Sequence, residues 1–162
     1  MPVRATKRGE ERTPLSGNHD VLICGASFAG LAAARELAGS GADVLLIDRY
    51  EIGERQTSAC GIPTEWLRAT GLIEAERQRF SELVIHTPHG TTRMELPWTF
   101  STFDYRELCE LLWRDCDARF ETAKVNGRAR PANGDGAIHV ETDRGTISAP
   151  LVVDALGWRR VL

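Results

Sequence analysis

Val21-Leu22-Ile23-Cys24-Gly25-Ala26-Ser27-Phe28-Ala29-Gly30 opens with four apolar residues and runs directly into a turn bounded by two glycines. The apolar run shows no alternation with polar residues, which predicts a strand buried on both faces, as in a parallel sheet. Phe28 to about Ala38 is rich in alanine and leucine and is followed by Gly39 and Gly41, so it predicts a helix with its stop signals. Val44-Leu45-Leu46-Ile47 repeats the buried-strand pattern and ends in Asp48. The sum is one βαβ unit with an expected right-handed crossover.

The turn Gly25-Ala26-Ser27-Phe28-Ala29-Gly30 departs from Gly-x-Gly-x-x-Gly at one position. Gly25 permits the tight turn, the third position lets backbone approach a pyrophosphate, and Gly30 lets helix and strand pack closely. The helix start then offers free N–H groups and a partial positive charge to phosphates. Ser27 stands in the middle glycine slot, with a hydroxyl able to donate to a phosphate oxygen. Asp48 follows Gly30 by 18 residues. At the end of the second strand it is placed to accept both hydroxyls of an adenosine ribose and to repel a 2′-phosphate, which favours FAD or NAD over NADP. The competing account is a βα turn whose glycines serve packing alone.

Beyond Asp48 the parallel pattern stops. Arg49 to Pro63 predicts a loop and Thr64 to Arg68 a short helix. Leu83 to Thr87 and Thr91 to Leu96 flank Pro88-His89-Gly90 as a hairpin, which brings antiparallel pairing into a parallel fold. Asp104 to Cys116 carries apolar residues at helical spacing, with Asp104 and Glu107 as its N-terminal cap. Ala118 to Val125 predicts a strand, Asn126 to Gly136 a loop, and Ala137 to Thr142 with Thr146 to Ala149 a second hairpin. Leu151-Val152-Val153-Asp154 is a third buried-strand pattern. The pattern predicts an α/β fold class: a Rossmann-like dinucleotide-binding βαβ domain with a parallel sheet and inserted antiparallel hairpins. It is expected to run from residue 20 to 162, behind a flexible tail over residues 1–19.

An NAD dehydrogenase would continue with further βαβ units, whereas this chain inserts hairpins. Its ordered series consists of the glycine turn, Leu46-Ile47-Asp48-Arg49, Cys60-Gly61, Phe103-Asp104-Tyr105-Arg106-Glu107-Leu108 and Val152-Val153-Asp154-Ala155-Leu156-Gly157-Trp158. The series resembles the FAD-binding region of the glutathione-reductase-like flavoproteins, in the p-hydroxybenzoate-hydroxylase and geranylgeranyl-reductase branch. The resemblance implies that Gly25 to Gly30 line the FAD pyrophosphate, with Asp48 on the ribose and Arg49 along the adenine. It implies Arg106 near the cofactor at the start of its helix, Lys124 and Val125 reading the adenine edge through their backbone, and Asp154, Ala155 and Gly157 lying against the cofactor. Leu156 stands where relatives carry a threonine. Cys60 and Gly61 fall in the loop that runs near the flavin ring, and Cys60 is expected to lie beside it.

Twenty-three acidic and 20 basic residues leave a net charge of −3. This gives no general electrostatic reason to bind nucleic acid or an anionic membrane, and no apolar run reaches the length of a membrane span. With no export signal and no Cys-x-x-Cys pair, the four cysteines predict reduced thiols and a cytoplasmic address. His86 and His89 lack partners at metal-ligand spacing, so no metal is expected. No catalytic side chain is identifiable. In a flavoenzyme the cofactor carries the redox chemistry and NAD(P)H can serve as a transient electron donor.

The resemblance implies the FAD-binding portion of an oxidoreductase acting on an apolar or aromatic organic substrate. The chain ends five residues beyond Gly157, so the same reading expects weak FAD retention and a completing C-terminal chain. The alternatives are a nucleotide-binding remnant without turnover and an NAD-binding Rossmann domain.

Overall fold

The computed structural model describes residues 12–129, 136–158 and 161–162. Strand β1 is Gly17–Asn18 and β2 is Val21–Cys24, followed by helix α1 (Phe28–Glu36) and β3 (Val44–Asp48). Next come β4 (Gly61–Pro63), α2 (Thr64–Ala69) and the long strands β5 (Glu76–Thr87) and β6 (Gly90–Phe103). Helix α3 (Tyr105–Arg114) leads into β7 (Arg119–Thr122), β8 (Val125–Ala129), β9 (Ile138–Thr142), β10 (Gly145–Ala149) and β11 (Leu151–Asp154).

Strands β11-β2-β3-β7 form a parallel sheet, β1-β10-β9-β8 a second sheet, and β4-β6-β5 a third. The unbroken apolar runs of β2 and β3 follow from this layering, because successive side chains leave a strand on opposite faces. Val21, Ile23, Val44 and Leu46 enter a core shared with α1 and α3, where Leu31, Leu108 and Leu112 lie. Leu22, Cys24, Leu45 and Ile47 enter a second core, shared with Val140 and Ile147 of the antiparallel sheet. β2 has β3 on one side and β11 on the other, so the chain direction across the sheet switches beside β2. Such a switch opens a crevice at the C-terminal ends of parallel strands, which is where α/β folds bind ligands.

Several expectations shift at their edges. Residues 1–11 of the expected tail lie outside the described residues, but the rest of it is held. Leu15 is buried, its amide donates to the Arg144 carbonyl at 2.7 Å, and β1 pairs with β10. The expected strand from Ala118 to Val125 is two strands in different sheets, divided at Ala123-Lys124. The loop expected from Asn126 begins instead as β8, because the edge of β9 supplies pairing that Asn126 and Gly127 do not advertise; residues 130–135 are outside the description. The first hairpin is longer than its apolar centre suggests. Its base alternates charges that Arg79 and Glu76 satisfy in a bidentate pair, rather than showing apolar periodicity. β11 is an edge strand with Leu151 52% exposed, so its apolar run does not mark burial on both faces.

Two consequences are measurable. A β-carbon on Gly30 would stand 1.8 Å from the Gly25 carbonyl oxygen, whereas one on Gly41 meets nothing within 4 Å. Gly30→Ala should therefore cost about 3 kcal/mol in chemical denaturation, near the top of the overpacking range. Gly41→Ala should cost only the ~1 kcal/mol of a side chain at positive φ. Burial pushes the thiols of Cys24 and Cys109 up to about 12 from 9.0. Between those values the unfolded chain has lost protons that the folded chain keeps, so unfolding free energy falls as pH rises through that window. Urea midpoints measured from about pH 8 to 10.5 should decline, and Cys24→Ala should flatten the decline.

Candidate functional site

The turn after β2 is built by contacts between backbones. Gly25 has φ +110°, and a β-carbon there would meet the Ala155 carbonyl oxygen at 2.4 Å. Gly30 sits on the Gly25 carbonyl in the same way, with the Ala155 methyl as its next neighbour. Amides complete the joint: Gly25 N–H donates to the Ile47 carbonyl at 2.7 Å and Ala155 N–H to the Cys24 carbonyl at 2.8 Å. The glycine turn and the Asp154-Ala155-Leu156-Gly157 segment thus meet at the switch point. Asp154 accepts from Leu156 N–H at 3.0 Å, and Gly157 takes φ +81°.

Asp48 ends β3 next to this turn. One carboxylate oxygen accepts Ala26 N–H at 2.8 Å and the other Tyr50 N–H at 2.9 Å. Each oxygen keeps a further lone pair, so the fixed carboxylate can still accept two hydroxyls. Arg49 and Arg55 place their guanidinium carbons 5.0 and 5.1 Å from the Tyr50 ring centre, forming a cationic and aromatic patch just beyond Asp48.

Ser27 is the N-cap residue of α1, with extended backbone, yet its side chain makes no capping bond and the first turn holds no acidic residue. Its hydroxyl instead lies 3.1 Å from the Tyr105 hydroxyl and 3.2 Å from Thr57 Oγ1, which are themselves 3.1 Å apart. Burial raises the Tyr105 pKa, so the phenol stays protonated. Three hydroxyls in a closed ring donate once and accept once each. The Ser27 proton expected to serve a phosphate is therefore engaged within the protein. Phe28 holds Tyr105 in place from α1, with ring centres 5.1 Å apart. Sequence reasoning gave no role to Thr57, which belongs to no motif, or to Tyr105, which lies in the Phe103-Asp104-Tyr105-Arg106-Glu107-Leu108 segment but was passed over for Arg106.

The other expected residues are more dispersed. Arg106 lies in the first turn of α3, 72% exposed and paired with Glu110 at 2.8 Å. An exposed pair of this kind holds a side chain only weakly. The α3 cap forms through Asp104, which accepts Glu107 N–H at 2.9 Å, while the Glu107 carboxylate turns to Arg77. Both backbone groups of Lys124 bond Asp143, its N–H at 2.7 Å and its carbonyl at 3.0 Å, while Val125 begins β8 opposite Thr142. Cys60 is buried at φ +57° with its amide on Ser58 Oγ at 3.1 Å, and burial and then Asp104 raise its pKa. It is a neutral thiol in a left-handed backbone position that disfavours side chains. Gly61 opens β4 against the Phe100 ring. Beside it runs an apolar groove of about 880 Å³ between α1 and α2, floored by Leu67, Leu72, Phe103 and Leu108 and rimmed by Trp66. Among the described residues, no helix is long and apolar enough to cross a membrane and no group of three His, Cys, Asp or Glu is placed to hold a metal.

Residues 20–89 match the model of a family described as FAD dependent oxidoreductase. Over 86 residues the chain is 36% identical to the alpha subunit of sarcosine oxidase from Corynebacterium sp. strain U-96, a match that covers 52% of this chain and 8% of that protein. A geranylgeranyl bacteriochlorophyll reductase-like protein of Thermoplasma acidophilum superposes with a TM-score of 0.69 at 16% identity, covering 91% of this chain and 44% of that one. PqsL, a probable FAD-dependent monooxygenase from Pseudomonas aeruginosa, does so at 0.61 and 17%, covering 84% and 42%. The chain spans less than half the length of these two structures. Residues 20–89 thus carry the sequence pattern of an FAD-dependent oxidoreductase domain, set in the fold that these flavoenzymes share.

Proposed function

We propose that this chain is the FAD-binding portion of a flavin-dependent oxidoreductase whose substrate is an apolar or aromatic organic molecule. The observation that carries the reading is the pairing of a glycine turn closed by backbone contact with an Asp48 carboxylate already oriented by two amides. The site fits the cofactor. The uncapped start of α1 suits a pyrophosphate, and Asp48 suits a ribose with both hydroxyls free. Bound FAD would supply hydride or oxygen chemistry at its flavin ring, and the residues described act by binding and orientation.

Gly25, Ala26, Ser27, Phe28, Ala29 and Gly30 surround the pyrophosphate, Asp48 holds the ribose, and Asp154, Ala155 and Gly157 back the cofactor from β11. Arg49, Arg106, Lys124 and Val125 belong to the adenosine and phosphate side, and Cys60 with Gly61 to the flavin side. The apolar groove beside Gly61 supports the substrate class. NAD(P)H is the proposed electron donor. Four free cysteines agree with a reducing, cytoplasmic setting.

Titration of the purified chain with FAD, NAD and NADP in parallel should rank FAD first and NADP last. Asp48→Asn should weaken FAD at least tenfold, because a charge-assisted bond contributes about 1.5–3 kcal/mol and asparagine has only one oxygen for the two amides and the ribose. NAD binding tighter than FAD, or an Asn variant that binds FAD like the wild type, would overturn the reading.

A further inference from the structure

The N-cap serine of α1 does not cap its helix, which calls for a physical cause. Serine is among the preferred N-cap residues because its hydroxyl accepts an amide of the first turn. Ser27 has the extended backbone of a cap, and its carbonyl already accepts Leu31 N–H at 2.9 Å. Its side chain nevertheless points to Tyr105 and Thr57, at 3.1 and 3.2 Å. A side chain at this position can occupy the same amides that a phosphate needs, a competition that glycine in the middle slot never creates.

We propose that Thr57 and Tyr105 are positioning residues that hold the Ser27 hydroxyl off the amides of Ala29 and Gly30, keeping the start of α1 open for the pyrophosphate of the cofactor. This rests on the FAD reading above and extends it to two residues outside the glycine motif. The hold comes from two directions. Tyr105 begins α3 and is wedged by the Phe28 ring, while Thr57 comes from the loop after β3 and closes the ring at 3.1 Å from the phenol. Removing both hydroxyls leaves Ser27 without an alternative partner, and it would rotate to cap its own helix. A ligand would then have to displace that cap.

The test compares four proteins: wild type, Thr57→Val with Tyr105→Phe, Ser27→Gly, and the triple variant. Amide hydrogen exchange of Ala29 and Gly30, followed by NMR without ligand, should slow in the Thr57→Val/Tyr105→Phe protein. Simple loss of stability would speed it. Affinity for FAD and for ADP should fall about fivefold, the factor that corresponds to a serine cap. In the Ser27→Gly background the same two substitutions should change neither quantity. Exchange that stays constant or accelerates, or an affinity loss that persists with glycine at position 27, would overturn the proposal. If the wild type bound neither FAD nor ADP, the functional reading would fall, and the exchange comparison alone would decide whether the hydroxyl ring holds Ser27.

Discussion

At the C-terminal edge of the parallel sheet three stretches of backbone meet without side chains between them. The Gly25 carbonyl stands where a β-carbon of Gly30 would be, and the Ala155 carbonyl where one of Gly25 would be. This contact sets the distance of α1 from β2 and brings β11 to the turn. The long-range order of the domain depends on it, because β2 and β11 are 130 residues apart at their paired ends, Val21 and Leu151. Side chains at either glycine would push the helix off the sheet and open the core that Leu31 fills from above Ile23 and Leu46. The same closeness leaves the first turn of α1 facing the crevice with bare amides. Close packing and an uncapped helix start are therefore consequences of one steric requirement.

The two cores divide the remaining work. On the helical side, α1 and α3 cover one face of the sheet, and α3 brings the Tyr105 hydroxyl to Ser27 at the start of α1. On the other side, the β9–β10 hairpin covers the second face, and its turn residue Asp143 bonds both backbone groups of Lys124. Arg144 links the same turn to the carbonyl of Thr122 and the carboxylate of Glu121, each at 2.9 Å. Thr122 is paired beside Asp48 in the parallel sheet. The inserted antiparallel sheet thus anchors the strand next to the Asp48 carboxylate, although it contributes no glycine or charge to the motif itself.

Much of this was legible in the chain. A continuous apolar run, a glycine-bounded turn and an acid at the next strand end are short-range signals, and they located β2, α1, β3 and Asp48. The cap of α3 was legible through Asp104 for the same reason. What could not be read depends on partners distant in sequence. β8 exists because β9 offers an edge, and β1 because β10 does. β11 looks fully buried but is half-buried at Val152 and Val153 and exposed at its ends, since its position at the sheet edge is a property of strand order rather than composition. The hydroxyl ring is the clearest case. Ser27, Thr57 and Tyr105 are 30 and 48 residues apart along the chain, and no periodicity connects them.

Ser27 also shows how a departure from a motif can be accommodated without loss of its geometry. In the middle slot, glycine leaves the backbone open to an anion and brings no competing acceptor. Serine brings a hydroxyl that suits the helix start, and an isolated helix would use it as a cap. Tyr105 and Thr57 give that hydroxyl two partners where the helix amides would give it one, and neither bond uses a group that the crevice needs. The phenol is supported by Phe28, which occupies the next position in the turn. One substitution in the motif is thus offset by residues from the following loop and from α3, and the helix start remains available while every hydroxyl proton in the ring is satisfied.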